Sequence, residues 1–184
     1  EIAVVNDKTM RYEELDAVYH NRGTYFGDGV YEVVRSYDGM IFLLDEHLAR
    51  FGRSLKAIGI EGVEIDDIRG RVESAYEESG IANAKIYFHT TRGLQERNHL
   101  PCKELEPDFF MTITELGEQW QNEPVKVITH PDWRWKRCDI KSLNLLANVL
   151  ARIEANKRGC YEAVLVDEAG FVTEGSGSAF FVVK

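Results

Sequence analysis

A β-rich run from Gly29 to Tyr37 stops on Asp38-Gly39 and is followed at once by Met40-Ile41-Phe42-Leu43-Leu44. An Asp-Gly pair between two β-prone stretches specifies a tight antiparallel hairpin. Asp45 is placed to cap a helix whose apolar residues Leu48, Phe51, Leu55 and Ile58 recur at helical spacing, and Gly59 is placed to stop it. A second helix is predicted from Asp66 or Asp67 to Ser79, with Ile68, Val72, Ala75 and Tyr76 inward and Gly80 at its end. Strands return at 84–91 and 108–114.

Hydrophobic periodicity then lapses over 115–124, which divides the chain into an N-terminal domain over 1–115, a linker over 116–124 and a second domain over 125–184. In that second domain 125–129 reads as a strand. Residues 142–158 read as a helix with Leu146, Val149, Leu150 and Ile153 on one face and Gly159 as its stop. The runs 162–166 and 171–173 flank Asp167-Glu168-Ala169-Gly170 as a second hairpin. This mixed order of strands and helices is that of an α+β protein in two domains. The sequence stops inside the apolar run Phe180-Phe181-Val182-Val183-Lys184, so the second domain is expected to be unfinished.

Composition narrows the function classes. With 44% hydrophobic and 29% charged residues, the chain is of ordinary globular type, neither disordered nor fibrous. Its net charge, 22 − 31 = −9, argues against a nucleic-acid partner, which demands a basic face. No apolar run reaches the roughly 18 residues a membrane span needs. Three cysteines (Cys102, Cys138, Cys160) without CxxC spacing fit a reducing compartment, and Glu1-Ile2-Ala3-Val4-Val5 shows no export signal, so a cytoplasmic location is expected. Cys138 and Cys160 read as packed thiols. Glycine-rich nucleotide motifs, HExxH and the nucleophile elbow are all absent, and the five histidines lack metal-ligand spacing.

Several residues carry potential chemistry. Lys141 is predicted to sit at the first turn of a helix, where the positive end of the dipole favours a neutral, nucleophilic amine; an exposed lysine before a helix is the plainer alternative. Glu174 lies at a strand end beside Gly175 and Gly177, where the backbone can approach a ligand closely, or is a solvated acid before a turn. Arg97 and His99 in the loop 93–101 can face one carboxylate, or simply belong to a polar loop. Arg50 is a phosphate ligand or a surface charge. Tyr31, alternating with Val33, is either core or a phenol facing a cleft. Arg134 either braces a wall of the site or pairs with a surface acid.

Taken in order, several blocks resemble the fold-type IV pyridoxal-phosphate enzymes, the class IV aminotransferases, and within them the D-amino-acid branch. They are Arg22-Gly23-Thr24-Tyr25-Phe26-Gly27-Asp28-Gly29-Val30-Tyr31-Glu32, Glu46-His47-Leu48-Ala49-Arg50, Thr91-Arg92-Gly93 with Arg97-Asn98-His99, Cys138-Asp139-Ile140-Lys141-Ser142-Leu143-Asn144, Gly159-Cys160-Tyr161-Glu162-Ala163 and Val172-Thr173-Glu174-Gly175-Ser176. The resemblance implies a two-domain fold and a pyridoxal 5'-phosphate cofactor, with Lys141 as the Schiff-base lysine and proton shuttle. Arg50 would bind its phosphate and Glu174 would face its pyridine nitrogen. Tyr31, Arg97 and His99 would form the substrate-carboxylate trap, the last two from a neighbouring subunit, so a homodimer is implied. The implied reaction moves an amino group between a D-amino acid and a 2-oxo acid; aminodeoxychorismate lyases and branched-chain or (R)-amine transaminases share the Lys and Glu positions, and a non-catalytic fragment is the reading from outside the enzyme class. Gly177 and Ala179 depart from the family pattern, which implies a hydrogen bond near the cofactor lost or supplied by water.

Overall fold

The computed structural model describes residues 1–117 and 123–184. Of the expected linker, residues 118–122 lie outside the described residues. The chain divides into two compact units. The first holds Glu1–Gly117 together with Asp139–Asn144; among the described residues the second holds 123–138 and Leu145–Lys184. Residues 139–144, which carry Lys141, thus belong with the first unit although they follow part of the second in sequence.

The first unit opens with a small hairpin, β1 (Ile2–Val5) and β2 (Lys8–Arg11), and a short helix α1 (Arg22–Phe26). Its main sheet contains β3 (Gly29–Tyr37), β4 (Met40–Ile41), β5 (Ala84–Thr91) and β6 (Asp108–Glu115) in the order β4-β3-β5-β6, every pair antiparallel. Helices α2 (Leu44–Ile58) and α3 (Ile65–Ser79) supply the remaining core. Alternation along β3 decides what each side chain meets. Val30, Glu32, Val34 and Ser36 are buried, as are Ile86 and Phe88 of β5 and Leu48, Phe51 and Leu55 of α2. Phe51 packs edge-on against Phe88 at 5.1 Å.

The hairpin and both helices follow the sequence reading, with one correction. Asp45 does not cap α2. Leu43 adopts a left-handed conformation (φ 52°) that ends β4 at Ile41 and turns the chain, so that Leu44 and Leu48 meet the core. Asp45 falls in the first helical turn and pairs with Arg69 of α3 instead.

The second unit contains β7 (Val127–Pro131), α4 (Leu146–Lys157), β8 (Glu162–Val166) and β9 (Val172–Gly175). β7 and β8 are parallel, whereas β8 and β9 form the expected antiparallel hairpin. Strand β7 lies two residues beyond the predicted 125–129. Helix α4 buries a different face from the one expected: Leu146, Val149, Leu150 and Ile153 are 45–66% exposed, while Ala151 and Ala155 are fully buried against Ala163 and Leu165. Two residues along a helix turn by about 200°, so Ala151 and Ile153 must face opposite sides. Cys138 is exposed rather than packed; Cys160 is partly buried against the alanine cluster. Among the described residues no helix is long and apolar enough to cross a membrane.

Candidate active site

The helix predicted from Ser142 begins only at Leu146, so Lys141 does not lie in its first turn. The backbone around Lys141 is committed elsewhere. Tyr31 N–H donates to the Lys141 carbonyl at 3.0 Å, Leu143 N–H donates to the Gly29 carbonyl at 3.0 Å, and Val30 and Ser142 form a β-bridge. A chain lying along the start of β3 cannot simultaneously wind into a helix. Gly29 makes this approach possible: a Cβ there would stand 2.8 Å from Leu143 Cδ1 and 2.7 Å from the Thr90 carbonyl oxygen. Lys141 N–H also donates to the buried Ser54 hydroxyl of α2 at 3.2 Å.

So anchored, Lys141 lays its Nζ 4.3 Å from the centroid of the Tyr31 ring. Among the described residues no carboxylate pairs with this amine. Tyr31 is half-buried on the face of the sheet opposite Glu32 and Val34, so it is not part of the core. It rests against Tyr87 of β5 at 5.9 Å.

Arg50 projects from α2 to Glu32. Its Nε and Nη2 donate to the two Glu32 oxygens at 2.6 Å each, and His47 Nδ1 lies 2.8 Å from the same carboxylate. Burial pushes the Glu32 carboxyl up, but the hydrogen bonds from Arg50 and His47 outweigh it and hold the group below its ordinary range. Arg50 itself remains 43% exposed, with no partner for Nη1 among the described residues. Glu32 was not singled out by sequence reasoning. Its signal is an acid at an inward position of an otherwise apolar alternation, next to a helix bearing His47 and Arg50 one turn apart.

Arg97 and His99 are exposed and meet around Phe26, with the Arg97 guanidinium 5.3 Å and the His99 ring 5.1 Å from its centroid. Their loop is held from beneath by buried Arg22, which donates to the carbonyls of Asn98 at 2.6 Å and His99 at 3.0 Å and pairs with Asp28. Asp28 in turn binds Arg92, whose guanidinium reaches the last carbonyls of α2. Among the described residues no hydrogen bond or ring contact joins Arg97 or His99 to Tyr31 or Lys141.

In the second unit Glu174 is half-buried at the end of β9. One of its oxygens accepts from the N–H groups of Gly175 (3.3 Å) and Phe180 (3.1 Å). The following turn is organised by Glu162 of β8, another residue that sequence reasoning passed over. Its carboxylate accepts from Ser176 Oγ, from Ser178 Oγ at 2.8 Å and from the N–H groups of Ala163 (2.8 Å) and Gly177 (3.3 Å). Burial pushes Glu162 up, yet these bonds bring it down to about 2. Gly177 therefore contributes through its backbone. Arg134 pairs with an acid: it grips Asp132 through Nε, Nη2 and its own N–H, and Thr173 Oγ1 donates to Asp132 at 2.6 Å. The Arg134 bond foremost holds the Asp132 carboxyl well below its ordinary range.

A family model, amino-transferase class IV, matches residues 29–184. This chain belongs to the class IV aminotransferases. A D-alanine aminotransferase of Staphylococcus epidermidis is 38% identical over 185 residues, covering 98% of this chain and 65% of that protein. The chain thus spans about 65% of the length of this relative. The branched-chain amino acid aminotransferase of Escherichia coli superposes with a TM-score of 0.78 at 21% identity, over 94% of this chain and 61% of that one. A hypothetical aminotransferase of Mycobacterium tuberculosis, solved in its PLP-bound form, superposes with a TM-score of 0.75 at 18% identity, over 93% of this chain and 63% of that one. The fold is that of this aminotransferase family.

Proposed function

We propose that the protein is a pyridoxal-phosphate-dependent transaminase that moves an amino group between a D-amino acid of the D-alanine type and a 2-oxo acid. The observation that carries this reading is Lys141: a lysine held by backbone bonds on both sides, its amine laid on Tyr31 and paired with no acid among the described residues. The side chains present fit the cofactor. Lys141 supplies the amine that attaches to it. Arg50, braced through Nε and Nη2, has Nη1, without a partner among the described residues, for a phosphate oxygen. Glu174 has one carboxylate oxygen without a partner among the described residues, suited to accept from a protonated pyridine nitrogen.

Pyridoxal phosphate supplies an aldehyde for condensation with amines and a ring that takes up electrons when the substrate Cα loses its proton. Lys141 Nζ would be the base that takes the substrate Cα proton and hands it on. Tyr31 orients the substrate carboxylate beside it. Arg97 and His99 are exposed, fixed from behind by Arg22 and, among the described residues, joined to Tyr31 by no hydrogen bond or ring contact, an arrangement suited to completing the carboxylate trap of a second subunit in a homodimer. The relative named D-alanine aminotransferase supports the D-amino-acid substrate class. Cys102, Cys138 and Cys160 form no disulfide among the described residues and two of them are exposed, which suits a cytoplasmic location.

The test uses the full-length protein that carries this sequence, loaded with pyridoxal phosphate. It is expected to show the visible absorption of lysine-bound cofactor, to lose it in Lys141→Ala, and to form pyruvate from D-alanine with 2-oxoglutarate but not from L-alanine. Absorption unchanged by Lys141→Ala would overturn the site. Preference for branched L-amino acids would overturn the substrate class.

A further inference from the structure

The face of the main sheet turned away from α2 and α3 carries a cluster in which Tyr31 is only one member. Register places Tyr31, His89 and Phe110 in one row across β3, β5 and β6, and Val33, Tyr87 and Thr112 in the next. Such cross-strand neighbours determine one another's orientation. Tyr87 lies between the rows, its ring 5.9 Å from Tyr31, 5.6 Å from His89 and 6.5 Å from Phe110. Its hydroxyl stands 3.0 Å from His89 Nδ1, and the His89 ring lies tilted over Phe110 at 5.2 Å. Both side chains are half-buried. This polar pair is not used by Lys141, Arg50 or the Arg97–His99 cluster, yet Tyr87 lies beside Tyr31, the ring on which the Lys141 amine rests.

We propose that Tyr87 and His89 are positioning residues: the Tyr87 O–H donates to His89 Nδ1, this bond fixes the Tyr87 ring, and the fixed ring holds Tyr31 in place against Lys141. The inference rests on the reading of Tyr31 and Lys141 given above. A phenol ring bears on its neighbour with a defined face only when its own torsions are set, and a hydroxyl bonded to a half-buried partner sets them. Burial supports the direction of the bond. It pushes the Tyr87 hydroxyl up and the His89 ring down, the latter against the opposing charge of Asp108, so near neutral pH the phenol keeps its proton and the imidazole is uncharged, with a lone pair to accept it. The His89 proton then resides on Nε2.

Two kinds of measurement test this. In the protein without cofactor, the imidazole nitrogen spectrum is expected to show His89 as the Nε2–H tautomer at neutral pH; a proton on Nδ1 would overturn the proposed bond. In the full-length protein loaded with pyridoxal phosphate, removing the hydroxyl in Tyr87→Phe is expected to raise KM for the amino donor roughly tenfold while kcat changes less than about threefold, the signature of a displaced carboxylate ligand. His89→Leu should do the same, whereas His89→Gln, whose amide oxygen accepts the same O–H, should stay within about threefold of the parent. A parental KM in Tyr87→Phe, or a His89→Gln variant as impaired as His89→Leu, would sink the inference. So would losses of kcat and KM that merely track a fall in Tm, since those mark packing alone. Absence of lysine-bound cofactor absorption in the parent is a separate outcome and would remove the transaminase reading itself.

Discussion

Glu32 is the clearest case of a single residue whose setting decides its role. A carboxylate with no exposed surface is tolerable only because every strong contact around it is a donor, two from Arg50 and one from His47. The pairing works in the other direction as well, since it sets the plane of a guanidinium that is otherwise on the surface. Replacing Glu32 by Ala leaves Arg50 unpaired, but its 43% exposure lets it turn toward water. The expected loss is therefore about 2 kcal/mol, below the 3–5 typical of a fully buried broken pair. Urea unfolding measures it. Cofactor titration should show pyridoxal phosphate binding about tenfold weaker, because the guanidinium is no longer held. Unchanged affinity would separate Arg50 from the phosphate.

At the scale of elements, the turn after β9 depends on β8. Four donors converge on Glu162, and Arg152 of α4 comes within 3.2 Å of the same carboxylate. Because Glu162 is lowered from its ordinary 4.5 to about 2 in the folded chain, the folded state favours the ionised form. Its contribution is complete above pH 4.5 and is lost as pH falls toward 2. Thermal melting between these limits should therefore drop steeply with acid. Glu162→Gln should flatten that slope and lower stability at neutral pH by roughly 2–3 kcal/mol. A variant with the parental acid profile would show that the turn is held by other bonds. Helix α4 carries a related lesson: two alanines form its buried side, so its larger apolar residues contribute nothing to the core of the second unit.

For the whole molecule, the two units differ in what they bury. The first packs Val30, Val34, Leu48, Phe51, Leu55, Ile86 and Phe88 into one core, whereas the second gathers only Ala151, Ala155, Ala163 and Leu165 among the described residues. Burial of apolar area contributes about 25 cal/mol per Å², so the first unit should open far less often. In the 184-residue chain, amides of β3 and β5 are expected to exchange hydrogen more slowly than those of β7 and β8. Equal protection in both sheets would mean that the units unfold as one.

Much of this was legible in the sequence because it is local. Asp38-Gly39 dictates a turn between its immediate neighbours, the spacing of Leu48, Phe51 and Leu55 dictates one helical stripe, and the ordered blocks around Tyr31, Lys141 and Glu174 identify the family. Other features depend on groups far apart in the chain. That Lys141 lies along β3 rather than in a helix follows from carbonyl and N–H partners more than a hundred residues away, at Gly29 and Tyr31. That α4 buries alanines follows from what β8 presents to it. Glu32, Glu162 and the Tyr87–His89 pair acquire meaning only through partners that register and packing bring to them. Periodicity reports which face of an element is apolar; tertiary structure alone decides what that face meets, because burial and hydrogen bonding are properties of pairs.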